Sequence, residues 1–193
     1  DNALEGLYQS TLDHEGHFVK ANPALARILG YETPEVLLAD ITSLRKQFYL
    51  HGEDRDRLLA AIADYRKIAG FEVQCQRKDG SVIWVSISAG LRTSSLLDQT
   101  VIEGFMTDIT VRKQAEAELA ASKDYLHEII NSIGDPLFVK DEEHRWVLVN
   151  DALCAFMGHE RSGLLGKSDY DFFPAEQADV CWANDQRVLD SGQ

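Results

Sequence analysis

The sequence predicts an α+β fold that occurs twice along the chain, with short helices on one face of an antiparallel sheet. Three observations predict it. Two strand patterns are followed by several short helical patterns and then by three more strand patterns. Asn22 and Gly30 recur as Asn150 and Gly158, at a constant offset of 128 residues. A stretch without Gly or Pro, rich in helix formers, separates the two copies.

Each copy contains a strand, a capped helix and a glycine. Asn22 and Asn150 are predicted N-caps, because an asparagine side chain accepts a hydrogen bond from the first helical turn. Pro23 follows at the first helical position, where its missing N–H costs nothing. Gly30 and Gly158 stand where a left-handed residue ends a helix. The sequence therefore predicts a short helix after each asparagine.

The remaining elements of the first copy follow in order. Residues 6–22 predict a hairpin that turns at residues 13–16. Residues 33–40 predict a short helix, and residues 52–69 a longer amphipathic helix with Tyr65 on its apolar side. Strands are predicted for residues 71–76, 81–93 and 101–110. The result is a five-stranded antiparallel sheet with helices on one face.

Composition excludes several functional classes. The 193 residues carry a formal net charge of −13, which disfavours binding to nucleic acid and to anionic membrane surfaces. No apolar run approaches the roughly 20 residues of a membrane span. The three cysteines, Cys75, Cys154 and Cys181, form no C-x-x-C pair. Free thiols in a reducing cytosol are the simplest interpretation, and they predict a cytoplasmic location.

Three stretches together resemble the PAS domain family. They are "VKANPALARILGYETPEVLL", "FEVQCQRKDGSVIWVSISA" and "VIEGFMTDITVRKQAEAEL". The last contains Asp108-Ile109-Thr110, which resembles the motif that ends a PAS core and leads into a signalling helix. The resemblance implies a first PAS domain at 1–110, a helical linker at 111–133 and a second PAS domain at 134–193. It also implies a sensory role in a bacterial signalling protein.

The second copy ends at Gln193, after its predicted long helix. If the repeat holds, the last three strands of a second PAS domain are missing from this sequence. We therefore interpret the sequence as a fragment of a larger protein. The resemblance suggests that an output domain follows, most simply a histidine kinase and alternatively a diguanylate cyclase or phosphodiesterase.

The resemblance places a ligand cavity between the inner face of the sheet and the short helices. The inward positions of the first copy are almost wholly apolar, so a bound ligand is predicted to be small and apolar. The alternative is that these side chains simply fill a core. The candidate pocket residues are Leu25, Ile28, Leu29, Leu38, Ile62, Phe71, Val73, Cys75, Val85, Ile87, Ala89, Ile102 and Met106.

No cofactor or metal is expected. A flavin photoreceptor of the related LOV type needs a reactive cysteine, and residues 38–48 contain none. A haem sensor of the family takes a histidine from the long helix, and neither 54–69 nor 175–191 contains one. His14 and His17 lack the further ligands of a metal site and are interpreted as solvated turn residues.

The linker helix carries a narrow apolar stripe with heptad spacing, which predicts a parallel coiled coil and a homodimer. The alternative is an amphipathic helix that packs on its own domains. The stripe consists of Ala115, Leu119, Ser122, Leu126, Ile129 and Ile133.

No catalytic motif of a hydrolase, P-loop enzyme, kinase or GGDEF cyclase occurs, so this region is not expected to be an enzyme. Two functional hypotheses remain. One is a tandem PAS sensor that binds a small ligand and relays a signal through a helical dimer to an output domain. The other is a module for protein interaction and dimerisation that binds no small molecule.

Overall fold

The structure is a computed structural model, and it describes residues 5–94 and 99–191. The chain forms two compact units, Asp1–Glu116 and Ala117–Gln193. The boundary between them lies within a helix that neither unit contains completely. Among the described residues, no helix has the length and apolarity needed to cross a bilayer.

The first unit is built on an antiparallel five-stranded sheet with the strand order β2-β1-β5-β4-β3. The predicted α+β fold with this sheet is confirmed. A short π-helical turn, Leu44–Phe48, lies between the second and third helices. The strands are β1 (Gly6–Ser10), β2 (Phe18–Ala21), β3 (Lys67–Gln76), β4 (Val82–Ser94) and β5 (Gln99–Asp108). The helices are α1 (Pro23–Ile28), α2 (Pro34–Asp40) and α3 (Glu53–Tyr65).

Local sequence explains the two short helices. The Asn22 side chain accepts a hydrogen bond from the Leu25 amide at 2.8 Å, and Pro23 occupies the first turn of α1. After α1, Gly30 adopts a φ of 76°, which turns the chain away from the helix axis. Thr33 and Pro34 repeat the same arrangement at the start of α2. Each helix therefore begins at its own capping residue, and each has a length of about two turns.

The boundary between α3 and β3 differs from the prediction. The helix ends at Tyr65, because Arg66 adopts a left-handed φ of 58°, and the strand begins at Lys67. Gly70, with a φ of 66°, lies in a register irregularity of this strand. The prediction of an apolar role for Tyr65 was wrong, since the residue is 75% exposed. The sequence pattern predicted the helix beyond Tyr65, because the spacing of apolar residues does not reveal that Arg66 adopts a left-handed conformation.

The second unit contains a smaller set of elements. Helix α4 (Thr110–Ser132) leads into it from the first unit. A two-stranded sheet, β6 (Phe138–Lys140) and β7 (Trp146–Val149), is followed by α5 (Asp151–Met157) and α6 (Arg161–Leu164). A short 3₁₀ turn, Asp169–Asp171, precedes α7 (Ala175–Ser191). The buried core consists of Trp146, Val149, Leu153 and Leu164.

Candidate functional site

The candidate pocket residues lie together in one hydrophobic core beneath the sheet of the first unit. Alternation along β3, β4 and β5 directs every second side chain toward α1, α2 and α3. The fully buried members are Leu25, Leu29, Ile62, Val73, Cys75, Val85, Ile87, Ala89, Ile102 and Met106. Ile28, Leu38 and Phe71 pack against this core and are partly buried.

In the described part of the chain, apolar side chains pack closely between the sheet and the helices. A cavity of about 10 Å³ is present there, which is about the space of one water molecule. Ile87 and Met106 line it, and so do residues that the sequence did not single out: Tyr8, Ser10, Phe18, Leu44, Phe48, Tyr49 and Arg55. Alternation along β1 places Tyr8 and Ser10 on the same face of the strand, so the sequence could have predicted that these two residues face the cavity.

Four aromatic rings form one wall of this cavity. Tyr8 contacts Phe18 with ring centroids 5.5 Å apart, and Phe18 contacts Phe48 at 5.9 Å. Phe48 in turn contacts Tyr49 at 4.7 Å. All three contacts are edge-to-face, an arrangement that aromatic pairs favour. The chain of rings connects β1 and β2 to the π-helical turn.

Arg55 is a charged residue inside this core and is only 1% exposed. Its Nη2 donates to the backbone carbonyl oxygens of Thr11 at 2.7 Å and Asp13 at 3.1 Å. Gly16, with a φ of 65°, lies so close that a Cβ there would be 2.5 Å from Nη2. Arg55 on α3 therefore holds the turn between β1 and β2, and only glycine fits beside it.

Burial shifts the ionisation of the groups near the cavity. It raises the pKa of the Tyr49 hydroxyl to about 12, although the Arg55 guanidinium opposes part of that rise. Burial also raises the pKa of the Tyr8 hydroxyl and brings that of the Cys75 thiol to about 12. All three side chains are therefore neutral at physiological pH. Among the described residues, no cluster of histidine, cysteine, aspartate and glutamate suits a metal ion.

The motif Asp108-Ile109-Thr110 joins the sheet to α4. The Thr110 amide donates to the Asp108 carboxylate at 2.9 Å, and the Trp84 amide donates to the Thr110 hydroxyl at 3.0 Å. The Ile109 amide donates to the carbonyl oxygen of Trp84 at 2.9 Å. Arg77 pairs with the other oxygen of Asp108 at 2.8 Å. The first turn of the helix is therefore hydrogen-bonded to strands β4 and β5.

Ion pairs continue this attachment along the first turn of α4. Arg112 and Lys113 each contact the Glu72 carboxylate of β3 at 2.6 Å. The Lys113 ammonium also lies 5.3 Å from the centroid of the Trp84 ring, on the outer side of the sheet. Residues of β3, β4 and β5 therefore hold the first turn of α4 in position.

The residues of the predicted apolar stripe lie along α4, and Ile133 follows immediately after the last residue of the helix. None of the helix residues is buried. The exposed fractions are 58% for Leu119, 57% for Leu126, 42% for Ile129 and 38% for Ile133. The seam is thus an apolar stripe open to solvent in a single chain, and the coiled coil remains a prediction.

The second capping residue, Asn150, lies at the start of α5. Its Oδ1 accepts from the amides of Leu153 and Leu137, each at 2.9 Å. The spacing of Leu153, Phe156 and Met157 predicts one apolar face for this helix, but Phe156 is 74% exposed, so the prediction is wrong for that residue. The core of the second unit lies on the Leu153 side of the helix instead.

Two family models match the chain. One, described as "PAS domain", matches residues 6–111, and a second, described as "PAS fold", matches residues 130–193. The two matched ranges correspond to the two copies of the repeat.

Curated relatives include sensor kinases. The sensor histidine kinase TmoS of Ectopseudomonas mendocina is 27% identical over 184 residues, which is 92% of this chain and 18% of TmoS. The virulence sensor protein BvgS of Bordetella pertussis is 33% identical over 86 residues, covering 45% of this chain and 7% of BvgS. The protein y4lL of Sinorhizobium fredii is 38% identical over 82 residues, which cover 42% of this chain and 10% of y4lL. The chain thus spans less than a fifth of the length of these relatives.

Among solved structures, the sensory box histidine kinase/response regulator from Burkholderia thailandensis is similar. It is 22% identical with a TM-score of 0.44, and the match covers 65% of this chain and 92% of that one.

Proposed function

The chain belongs to the PAS domain family, and we propose that it is the sensory region of a longer sensor histidine kinase. Sensory signal transduction is the role of this family of domains and of the relatives TmoS and BvgS. In this proposal the region itself catalyses no reaction. It passes a signal from its PAS domains to an output domain in the same polypeptide.

The observation that carries the proposal is the attachment of α4 to the sheet. Thr110 donates to the Asp108 carboxylate and accepts from the Trp84 amide. Together with the ion pairs of Glu72, these contacts connect strands β3, β4 and β5 to the first turn of the helix. A change in the sheet is therefore transmitted to a helix that presents an apolar stripe. If two copies pair along that stripe, rotation or sliding of the helices carries the signal. We accordingly propose a parallel homodimer.

We further place the region in the cytoplasm. All three cysteines are free, as expected for a reducing compartment. The proposed homodimer and the proposed cytoplasmic location are independent of each other.

A ligand-free role is the second candidate, and the filled interior of the first unit favours it. The interior cavity of about 10 Å³ leaves no room for a drug-sized molecule. In that case the first unit transmits changes from a neighbouring segment or subunit, and its sheet and helix serve as a mechanical connection. The apolar small ligand predicted from the sequence requires rearrangement of the core.

The test uses the longer natural protein and the heptad register of α4. One residue is inserted between Ala120 and Ala121 in one variant, and seven residues that repeat the local heptad are inserted in another. A single residue rotates the following helix by about 100°, whereas seven preserve the seam. We expect the first insertion to change autophosphorylation at least tenfold, and the second to leave it within twofold of the wild type. Equal rates in all three proteins would contradict transmission through α4.

A further inference from the structure

Within the described residues, no carboxylate forms an ion pair with the Arg55 guanidinium. Its Nη2 donates two hydrogen bonds to backbone carbonyl oxygens, and the acidic residues beside it in sequence are paired with other arginines. Asp54 pairs with Arg57 at 2.7 Å, and Asp56 pairs with Arg45 at 2.5 Å. A guanidinium that is 1% exposed is costly to bury unless a negative charge accompanies it. The structure therefore contains a buried positive charge that protein carbonyls satisfy only in part.

Two polar atoms at this place also lack partners. The Nε of Arg55 and the Oγ of Ser10 are fully buried, and neither makes a hydrogen bond within the described part of the chain. Both residues line the same cavity of about 10 Å³. The Nε can only donate, and a serine hydroxyl can donate as well. Two donors that share one small void are suited to a single acceptor, and a negatively charged acceptor also compensates the guanidinium.

We propose that this cavity binds a small monovalent anion, of the size of a halide or formate, between Arg55 Nε and Ser10 Oγ. The size of the void excludes sulfate, phosphate and larger carboxylates without movement of the core. The flexible side chain of Met106, which lines the cavity, offers the slight expansion that formate requires. This ligand is anionic, in contrast to the apolar ligand predicted from the sequence.

The position of the cavity connects the anion to the helix that leaves the sheet. Ser10 pairs with Ile102 of β5, and Met106 lies on the same strand two residues before Asp108. Asp108 holds the first turn of α4 through Thr110. An anion bound in the cavity therefore contacts β5, the strand that positions α4. This regulatory part of the inference rests on the proposed sensory function, whereas anion binding itself does not.

Thermal unfolding of the chain in different sodium salts at equal ionic strength tests the binding. Bromide and formate require only a slight expansion of the cavity, whereas gluconate is far too large and serves as the reference. We expect bromide and formate to raise the Tm on the order of 5 °C at ten times the Kd, because only the folded chain has the site. Equal Tm values in all three salts overturn the proposal.

Variants separate the site from a general salt effect. Ser10→Ala removes a hydroxyl that has no partner, so in gluconate its Tm should equal or exceed that of the wild type. In bromide it should lose most of the salt-specific rise, and Arg55→Gln should lose all of it. The control is Arg57→Gln, on the same helix with a 66% exposed side chain, which should keep the full rise. A rise that persists in Ser10→Ala overturns the proposal, even if Arg55→Gln does not fold.

Anomalous diffraction from crystals grown in sodium bromide provides a direct measurement. A bromide peak within hydrogen-bond distance of Arg55 Nε supports the proposal, and a water molecule at that position overturns it. Autophosphorylation of the longer protein in bromide and gluconate then tests the regulatory part separately. A bound bromide with unchanged autophosphorylation would contradict the sensory role while the binding site stands.

Discussion

Asn22 and Asn150, 128 residues apart, make corresponding hydrogen bonds in the two units, and Asn150 Nδ2 donates two more, to the carbonyl oxygens of Ile130 and Ile133 at 3.2 Å. Asn22 Oδ1 accepts from the amides of Leu25 and Leu7 at 2.8 and 3.0 Å, and its Nδ2 donates to the Glu5 carbonyl at 3.0 Å. Asn150 Oδ1 accepts from Leu153 and Leu137, and its Nδ2 donates to the Asp135 carbonyl at 2.8 Å. Each asparagine thus caps a helix and joins it to the start of its hairpin.

Replacement of these asparagines by alanine should destabilise the two units unequally. Asn22→Ala removes a cap and a bridge at a partly exposed site, and should cost about 1 kcal/mol. Asn150 is fully buried, so Asn150→Ala also leaves buried amide and carbonyl groups without partners and should cost about 2–3 kcal/mol. Hydrogen exchange followed by mass spectrometry measures each unit separately.

The matched control for this pair is Asn184→Ala on the exposed side of α7, which should change the stability of the second unit only slightly. Asn→Asp at each site keeps the oxygen acceptor and loses the amide donor, so it should have an intermediate effect. A loss no larger for Asn150→Ala than for Asn184→Ala would contradict the capping role.

The buried thiol of Cys75 should make the first unit less stable in alkali. Burial raises its pKa from 9.0 to about 12 in the folded chain, so the folded state keeps a proton that the unfolded state releases. The contribution is complete below pH 9 and disappears as the pH rises toward 12. Urea unfolding of the wild type and of Cys75→Val between pH 8 and 11 measures the effect. Stability of the wild type should fall relative to the variant, and parallel curves would contradict the argument.

Loss of the Glu72 carboxylate should loosen the first turn of α4 without unfolding the sheet. Its ion pairs with Arg112 and Lys113 are partly exposed and screened by solvent, so Glu72→Gln should reduce the stability of the fold only slightly. Amide protection of residues 111–116 should nevertheless fall several-fold. Glu32→Gln breaks a comparable exposed pair with Lys78 and should leave this segment unchanged.

Lys140 forms the buried ion pair of the second unit. Its ammonium lies 2.6 Å from the carboxylates of Asp169 and Asp185, and the Lys140 and Asp169 side chains are 9% and 7% exposed. Burial disfavours the charged lysine, but hydrogen bonds to Asp169 and Asp185 outweigh burial and raise its pKa. Lys140→Met leaves a buried carboxylate unpaired and should destabilise the second unit by about 3 kcal/mol.

The comparison variant for Lys140 is Lys167→Met, because the side chain of Lys167 is 53% exposed and lies 4.0 Å from Asp171. Denaturant titration should show a change below about 0.5 kcal/mol for it. Equal effects of the two substitutions would mean that the Lys140 pair contributes no more than a surface pair.

If α4 pairs with a second copy, a charge in its apolar stripe should dissociate the dimer. Leu126, 57% exposed in the single chain, is replaced by lysine, and Ala121→Lys adds the same charge outside the stripe. Sedimentation velocity should show weakening of the dimer by at least tenfold in Kd for Leu126→Lys only. A monomeric wild type at all accessible concentrations would contradict the coiled coil.

Much of the fold could be predicted from local patterns. The capping residues Asn22 and Thr33, and the alternation along β3 to β5, mark helix starts and inward faces, because they report on neighbours a few residues away. The end of α3 was missed, since Arg66 is an ordinary residue in a left-handed conformation that the strand imposes. The polar lining of the core was missed too. Helical periodicity places Arg55, but not Arg57, on the face of Leu58 and Ile62, yet its charge favours an exposed position until the turn of the first hairpin packs against it.

The repeat, the order of strands and helices and the helix caps follow from residue types at short or constant spacing, and the resemblance of three sequence stretches indicated the family. Tertiary structure decided which charge is buried, how little space remains in the core and how α4 is attached to the sheet. The contacts behind these features join residues far apart in sequence, such as Arg77 with Asp108, 31 positions apart, and Arg55 with Thr11, 44 positions apart. Such distant contacts form only when the whole sheet closes over its helices, so no local pattern encodes them.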